Sequence, residues 1–415
     1  MRGRWPYVWV VVACVLPRAV VLAHERGAIL ASFREKSDIL AQVFLKSGTF
    51  GYVPGIPSAS TQPLYGWFLI AVYWIGGRNW WAVGIAQTAV AACTAVLVYE
   101  IGRRTISPRA GLIAAVVATL QPYLIWHDLH VNREILDQPL GAAMFLLALL
   151  VANRPSPRLA AAFGLVSGVA ILSNSRLLVL PLAFTAYLLW RKAGWVAAAL
   201  VPVLAAVALA PWVIRNKVQV GCFALTTDAR ALWKANNVNT YATLKSGKWI
   251  DDVPIPPPLS HLLTPTQARD IYTSSGRKVN VHECAQESKW EHPVFQFWEH
   301  HPGTKVKLMV QATRMLWSPA VTADAGGPST GGIFHSLRHL AEPAYMIPLY
   351  VLALVGLFLV STPFRVLALV FLGYNTLAAW VFAGTTRYRV PWDFVLALLA
   401  AAALDRWPLR RSPSQ

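Results

Sequence analysis

Pro63-Leu64-Tyr65-Gly66-Trp67-Phe68-Leu69-Ile70-Ala71-Val72-Tyr73-Trp74-Ile75 is the stretch on which the topology turns. It is apolar throughout, yet as a helix it rises only about 20 Å, short of the ~30 Å hydrocarbon layer of a bilayer. A run of full spanning length precedes it at 6–24 and another follows at 80–101. If the short run crossed, Arg103, Arg104 and Arg109 would face the opposite side from the other basic loops. If it stays in the interface, those three share one side with Arg2 and Arg4, Arg154 and Arg158, Arg191 and Lys192, Arg365, and Arg406, Arg410 and Arg411. The positive-inside rule makes that side the cytoplasm, so an amphipathic or re-entrant helix is expected at 63–75.

The composition agrees. Of 415 residues, 56% are hydrophobic and 13% charged, where a soluble domain carries about a quarter charged. Mean hydropathy is +0.46. The formal charge of +18 is spread in short clusters between apolar runs, the pattern of topology signals and not of a nucleic-acid-binding face. Eighteen Trp and thirteen Tyr suit interfacial belts. Runs at 6–24, 80–101, 110–126, 135–152, 159–173, 177–190, 194–214, 343–360, 366–382 and 390–404 give about ten spans, the first a retained helix and not a cleaved signal. The expected fold is an all-α polytopic membrane protein of about ten transmembrane helices with an extracytoplasmic first loop. Its parts are a transmembrane catalytic module at 1–214 containing that loop at 25–78, a mixed or helical outer subdomain at 215–342, and C-terminal helices with a cytoplasmic tail at 343–415.

Polar chemistry gathers on the outer side. Asp38 sits in the first outer loop, where a carboxylate stays ionised and meets both water and headgroups; it also suits the first turn of a helix at 39–45. His127-Asp128-Leu129-His130-Val131-Asn132-Arg133-Glu134 packs several ionisable types into one turn, although the two histidines lack evident partner ligands for a metal. Arg176, Arg215, Arg387 and Arg389 lie at span ends, where arginines either snorkel to lipid phosphate or grip one phosphate bidentately. Cys14 and Cys93 lie in apolar runs. Cys222 and Cys284 share the outer segment and can pair in an oxidising compartment.

The order Asp38, Gln62-Pro63-Leu64-Tyr65, Gln121-Pro122-Tyr123-Leu124, Arg133-Glu134, Pro211-Trp212-Val213-Ile214-Arg215-Asn216, Gly221-Cys222-Phe223, Trp233-Lys234-Ala235-Asn236-Asn237 and Arg387-Tyr388-Arg389-Val390-Pro391 resembles the bacterial GT-C membrane glycosyltransferases related to protein O-mannosyltransferases and the lipid A aminoarabinose transferase. The resemblance spans nearly the whole chain. It departs at Ile39, where many relatives carry a second acid, and at Thr61-Gln62, where an arginine is common.

The resemblance implies an inverting transfer of a sugar from a polyprenyl-phosphate donor to an acceptor hydroxyl at the outer face of the plasma (inner) membrane. Asp38 would be the base and Glu134 a second catalytic carboxylate. Arg387, Arg389, Arg215 and Arg176 would hold the donor phosphate, and His127, Asp128, Tyr65 and Asn216 would position acceptor or sugar. The partners would be the lipid-linked donor, membrane lipid and a glycolipid, polysaccharide or protein acceptor, with no nucleic acid. No cofactor is required by these residues, and a divalent cation stays open. A lipid-linked-sugar flippase is the alternative, though transporters place ionisable groups near the bilayer midplane and these span cores read as almost charge-free.

Overall fold

The computed structural model describes residues 4–31, 35–322 and 337–406; Arg2, Arg34, Arg410 and Arg411 lie outside them. The described residues are helical, with one isolated bridge between Val53 and Ile56. In chain order the helices are α1 (Trp5–Glu25), α2 (Lys36–Ser47), α3 (Pro63–Gly76), α4 (Trp80–Thr105), α5 (Pro108–Thr119), α6 (Pro122–His127), α7 (Glu134–Asn153), α8 (Pro157–Ser173), α9 (Leu180–Trp190), α10 (Trp195–Gln219), α11 (Ala229–Ala235), α12 (Thr240–Lys245), α13 (Pro257–Ser260), α14 (Pro265–Ser275), α15 (Glu283–His300), α16 (Pro302–Leu316), α17 (Glu342–Leu359), α18 (Thr362–Val381), α19 (Thr386–Arg389) and α20 (Asp393–Arg406).

Six of these segments, among the described residues, are long and apolar enough to cross a membrane: Trp5–Leu30, Trp80–Thr105, Glu134–Asn153, Trp195–Gln219, His339–Leu359 and Thr362–Val381. The other apolar helices are shorter: Pro63–Gly76, Pro108–Thr119, Pro157–Ser173 and Ser175–Trp190. The expected span at 110–126 is broken, because α5 ends at Thr119 and α6 restarts at Pro122. Proline supplies no N–H and pushes the residue before it, Gln121, out of helical geometry. The expected span at 390–404 is the 14-residue α20, buried at every position from Asp393 to Ala403 between α17 and α5.

Close packing has a sequence basis. α8 lies between α7 and α10, and Gly164 and Gly168, four apart, face α10. A Cβ on Gly164 would stand 2.7 Å from the Leu204 Cβ, and one on Gly168 2.5 Å from the Ala208 Cβ. Small residues at this spacing let two backbones approach in a medium where apolar burial alone gives little drive.

The span cores are less free of charge than the sequence reading held. Arg18, inside α1, is buried and donates to Asp128 at 3.0 and 2.6 Å. Arg389 is also fully buried: its Nε donates to Asp393 (3.0 Å), one Nη to Glu342 (3.1 Å) and the other to the Ser318 carbonyl. Gln121 donates to both of those acids, at 2.8 and 3.0 Å. These groups answer one another, which is what makes their burial tolerable.

The segment from 220 to 322 is helical and has its own small core around Trp233 and Trp290. Cys222 and Cys284 form the disulfide that the sequence allowed, with Cα atoms 5.8 Å apart. Glu283, beside it, accepts from the Ala59 N–H at 2.9 Å and the Thr227 hydroxyl at 2.5 Å, tying this layer to the first loop.

Candidate active site

A cavity of about 290 Å³ opens where the helix ends meet the outer helical layer, at the ends opposite the arginine-rich short loops. Glu35, Gln62, Arg133, Arg176, Arg387 and Tyr388 line it from the membrane helices, and Asp228, Trp249 and Asp251 from the outer layer. Each is placed by a break in a helix. Glu35 precedes α2, with its carboxylate accepting from the Lys36 N–H. Gln62 precedes the Pro63 that opens α3 and donates to Ser175 at 2.7 Å. Arg133 stands at the N-cap of α7. Arg387 belongs to the single-turn α19, reached through Gly384; a Cβ there would stand 1.9 Å from the Ala312 carbonyl oxygen of α16. Only glycine lets the loop pass so close.

The cations form a cluster. Arg133 lies 3.7 Å from Glu35 and 3.7 Å from Glu134, and donates to Gln62. Burial works against the Arg133 guanidinium, but the two carboxylates outweigh it and hold its charge firmly. Arg387 lies 3.2 Å from Glu134. Arg176 stacks its guanidinium 3.5 Å over the Tyr388 ring. Glu134 is 1% exposed and stands behind Arg133 and Arg387, off the cavity wall, so it holds the two forks in place and does not reach into the space.

Several residues expected in the site do other work. Asp38 is not on the cavity wall. Tyr73 donates to one oxygen at 2.7 Å, and Arg78 donates to both at 2.9 and 2.8 Å. Burial would raise the Asp38 carboxyl, but Arg78 and Tyr73 hold it below the usual aspartate range. Asp38 stands in the first turn of α2, three residues after Glu35, with its carboxylate turned to Tyr73 and Arg78. Arg389 is committed to its buried ion pairs. Arg215 donates to the Ser58 and Phe50 carbonyls at 2.8 and 2.9 Å, and Asn216 to Ala224 at 2.8 Å, which fixes the first loop and the end of α10. Tyr65 donates to Gln87 at 2.7 Å inside the core. His127 is wholly buried beside Tyr123, and Asp128 is bound to Arg18. Of the expected phosphate ligands, Arg387 and Arg176 line the cavity; of the expected carboxylates, Glu134 adjoins it.

Sequence reasoning missed Glu35 and Arg133 as site residues. Both flank acids that were singled out, Glu35 three positions before Asp38 and Arg133 just before Glu134, so the signal was present without its phase. Among the described residues no group of three or more His, Cys, Asp or Glu comes together to hold a metal.

A family model for dolichyl-phosphate-mannose-protein mannosyltransferases matches residues 58–214, from just before α3 to near the end of α10. No curated protein sequence matches the chain. Among solved structures, the oligosaccharyltransferase AglB of Archaeoglobus fulgidus, with an inhibitory peptide and a dolichol-phosphate, aligns over 96% of this chain at 12% identity and TM-score 0.53. This chain spans half of AglB's length. ArnT of Cupriavidus metallidurans, bound to undecaprenyl phosphate, aligns over 98% of this chain and 79% of its own at 15% identity and TM-score 0.46. The chain is thus a multi-pass membrane protein with the fold of the GT-C class membrane glycosyltransferases.

Proposed function

We propose that this chain transfers a sugar from a polyprenyl-phosphate carrier to an acceptor hydroxyl at the extracytoplasmic face, with inversion at the anomeric carbon. The observation that carries this reading is the convergence of Arg133, Arg176 and Arg387 with Glu35 on one cavity. Three guanidinium groups at a helix-end cavity suit a phosphate better than any other common group, because each planar fork matches its oxygens. AglB holds a dolichol-phosphate, which favours the same ligand class here.

The base in this reading is Glu35 and not Asp38, whose oxygens are taken by Arg78 and Tyr73. Glu35 takes the proton of the acceptor hydroxyl as its oxygen bonds to the anomeric carbon. The bond from that carbon to the carrier phosphate breaks on the opposite face. The departing phosphate already carries charge and needs no acid, so the three arginines need only stabilise the charge that grows on it. Glu134, out of reach of substrate, keeps Arg133 and Arg387 aimed at the phosphate.

The test uses purified chain in nanodiscs with radiolabelled polyprenyl-phosphate sugars and extracted envelope acceptors. Wild type is expected to move label from lipid to acceptor, and Glu35→Gln to slow this by about 10²- to 10⁴-fold, the usual range for a general base. Full transfer by Glu35→Gln would remove Glu35 from the role. Label that crosses the membrane on its lipid, with no transfer, would favour a flippase.

A further inference from the structure

A second cavity, of about 270 Å³, adjoins the first. The two share Lys36, Asp228, Ala231 and Asp251, with the Lys36–Asp228 ion pair (3.7 Å) in the common wall. The chemistry proposed above uses none of the residues that belong to this second space alone. Thr264, Thr266 and Gln267 line it from the start of α14, and Gln286, Glu287 and Trp290 from α15.

The two cavities differ in what they offer. The first has a surplus of guanidinium groups. In the second, cations and carboxylates are balanced: Lys36 faces Asp228, Lys234 faces Asp251 at 3.0 Å, Glu283 accepts from Thr227 and the Ala59 N–H, and Arg230 lies over the Trp290 ring at 5.6 Å. Burial pushes the Glu287 carboxyl up to about 8, so near neutral pH it is mostly an uncharged donor and acceptor. What remains for a ligand is a wall of hydroxyl, amide and carboxyl groups interleaved with Leu263, Pro265, Val281 and Trp290. Such a wall suits a group that both donates and accepts hydrogen bonds at many positions and carries no net charge.

We propose that this second cavity seats the acceptor, and that the acceptor is a glycan, one of whose sugar hydroxyls is presented across the Lys36–Asp228 pair to Glu35. This rests on the first cavity being the donor-phosphate site. The reaction is unchanged in its balance: the presented oxygen gains the anomeric carbon, Glu35 gains the proton, and the carrier phosphate leaves.

Saturation-transfer NMR on the full chain in nanodiscs tests it, with methyl α-mannopyranoside, methyl α-arabinofuranoside and a Ser/Thr hexapeptide as probes. Gln286→Trp and Thr266→Trp each fill the second cavity from a different helix. Undecaprenyl phosphate binding is measured in parallel on both variants and on Arg387→Ala. A methyl glycoside is expected to bind wild type and to bind both Trp variants at least tenfold more weakly, while undecaprenyl phosphate binds those variants normally and Arg387→Ala poorly. Absence of glycoside binding to wild type, glycoside binding that neither Trp variant weakens, or binding of the hexapeptide alone would overturn the inference and leave the donor site standing. Normal undecaprenyl phosphate binding by Arg387→Ala would remove the donor site and the inference together, a pattern distinct from the others.

Discussion

Three positions separate Glu35 from Asp38, and two separate Arg387 from Arg389, yet in each pair one side chain lines the cavity and the other is spent on structure. Asp38 carries a stability prediction. Its folded pKa lies below the unfolded value of about 3.9, so its contribution is fully present above that value and is lost as pH falls through the folded pKa. Asp38→Asn should cost about 1–3 kcal/mol, the range for hydrogen bonds to charged groups, since Arg78 stays partly in contact with water. Thermal unfolding in detergent should show a lower Tm near pH 7 and a difference from wild type that shrinks in acid; an unchanged Tm would mean the Arg78 contact carries no weight. The acids of the first loop and the late arginine pair were legible from residue type alone. Which member of each pair faces the cavity was not, because that depends on helix phase within a single turn, and α19 is four residues long.

At the scale of elements, length and proline placement were the readable signals. The shortness of α3 was evident in its thirteen apolar residues, whereas the break at 120–121 was overridden by the apolar run on both sides despite the warning of Pro122. Gly164 and Gly168 make the α8–α10 contact sensitive to enlargement. Gly168→Leu must displace the Ala205 and Ala208 backbone region, at a cost of about 1–3 kcal/mol from overpacking. The matched Gly373→Leu, where an added Cβ meets nothing within 4 Å, should leave Tm nearly unchanged. In the outer layer, Glu287 holds its proton to about pH 8 when folded but only to about 4.3 when unfolded. The folded state therefore binds the extra proton between those values, and stability falls as pH rises through that window and levels off above it. Glu287→Gln should flatten this slope, which Tm against pH from 5 to 9 would register; an unaltered slope would assign it to other groups.

Over the whole molecule, Glu35, Arg133, Arg176 and Arg387 converge on one cavity, and the positive-inside rule would put that side outside. A fluorescent-protein fusion after Gln415 should therefore glow in the cytoplasm, and an alkaline phosphatase fusion within 220–322 should be active outside; the reverse pattern would invert the topology. The buried meeting of Gln121, Glu342, Arg389 and Asp393 has a consequence for biogenesis. Its guanidinium is encoded 47 positions after Glu342, so a nascent chain holds the acid before its counter-ion exists. Nascent chains stopped between those two codons are the ones a membrane protease is set to reject.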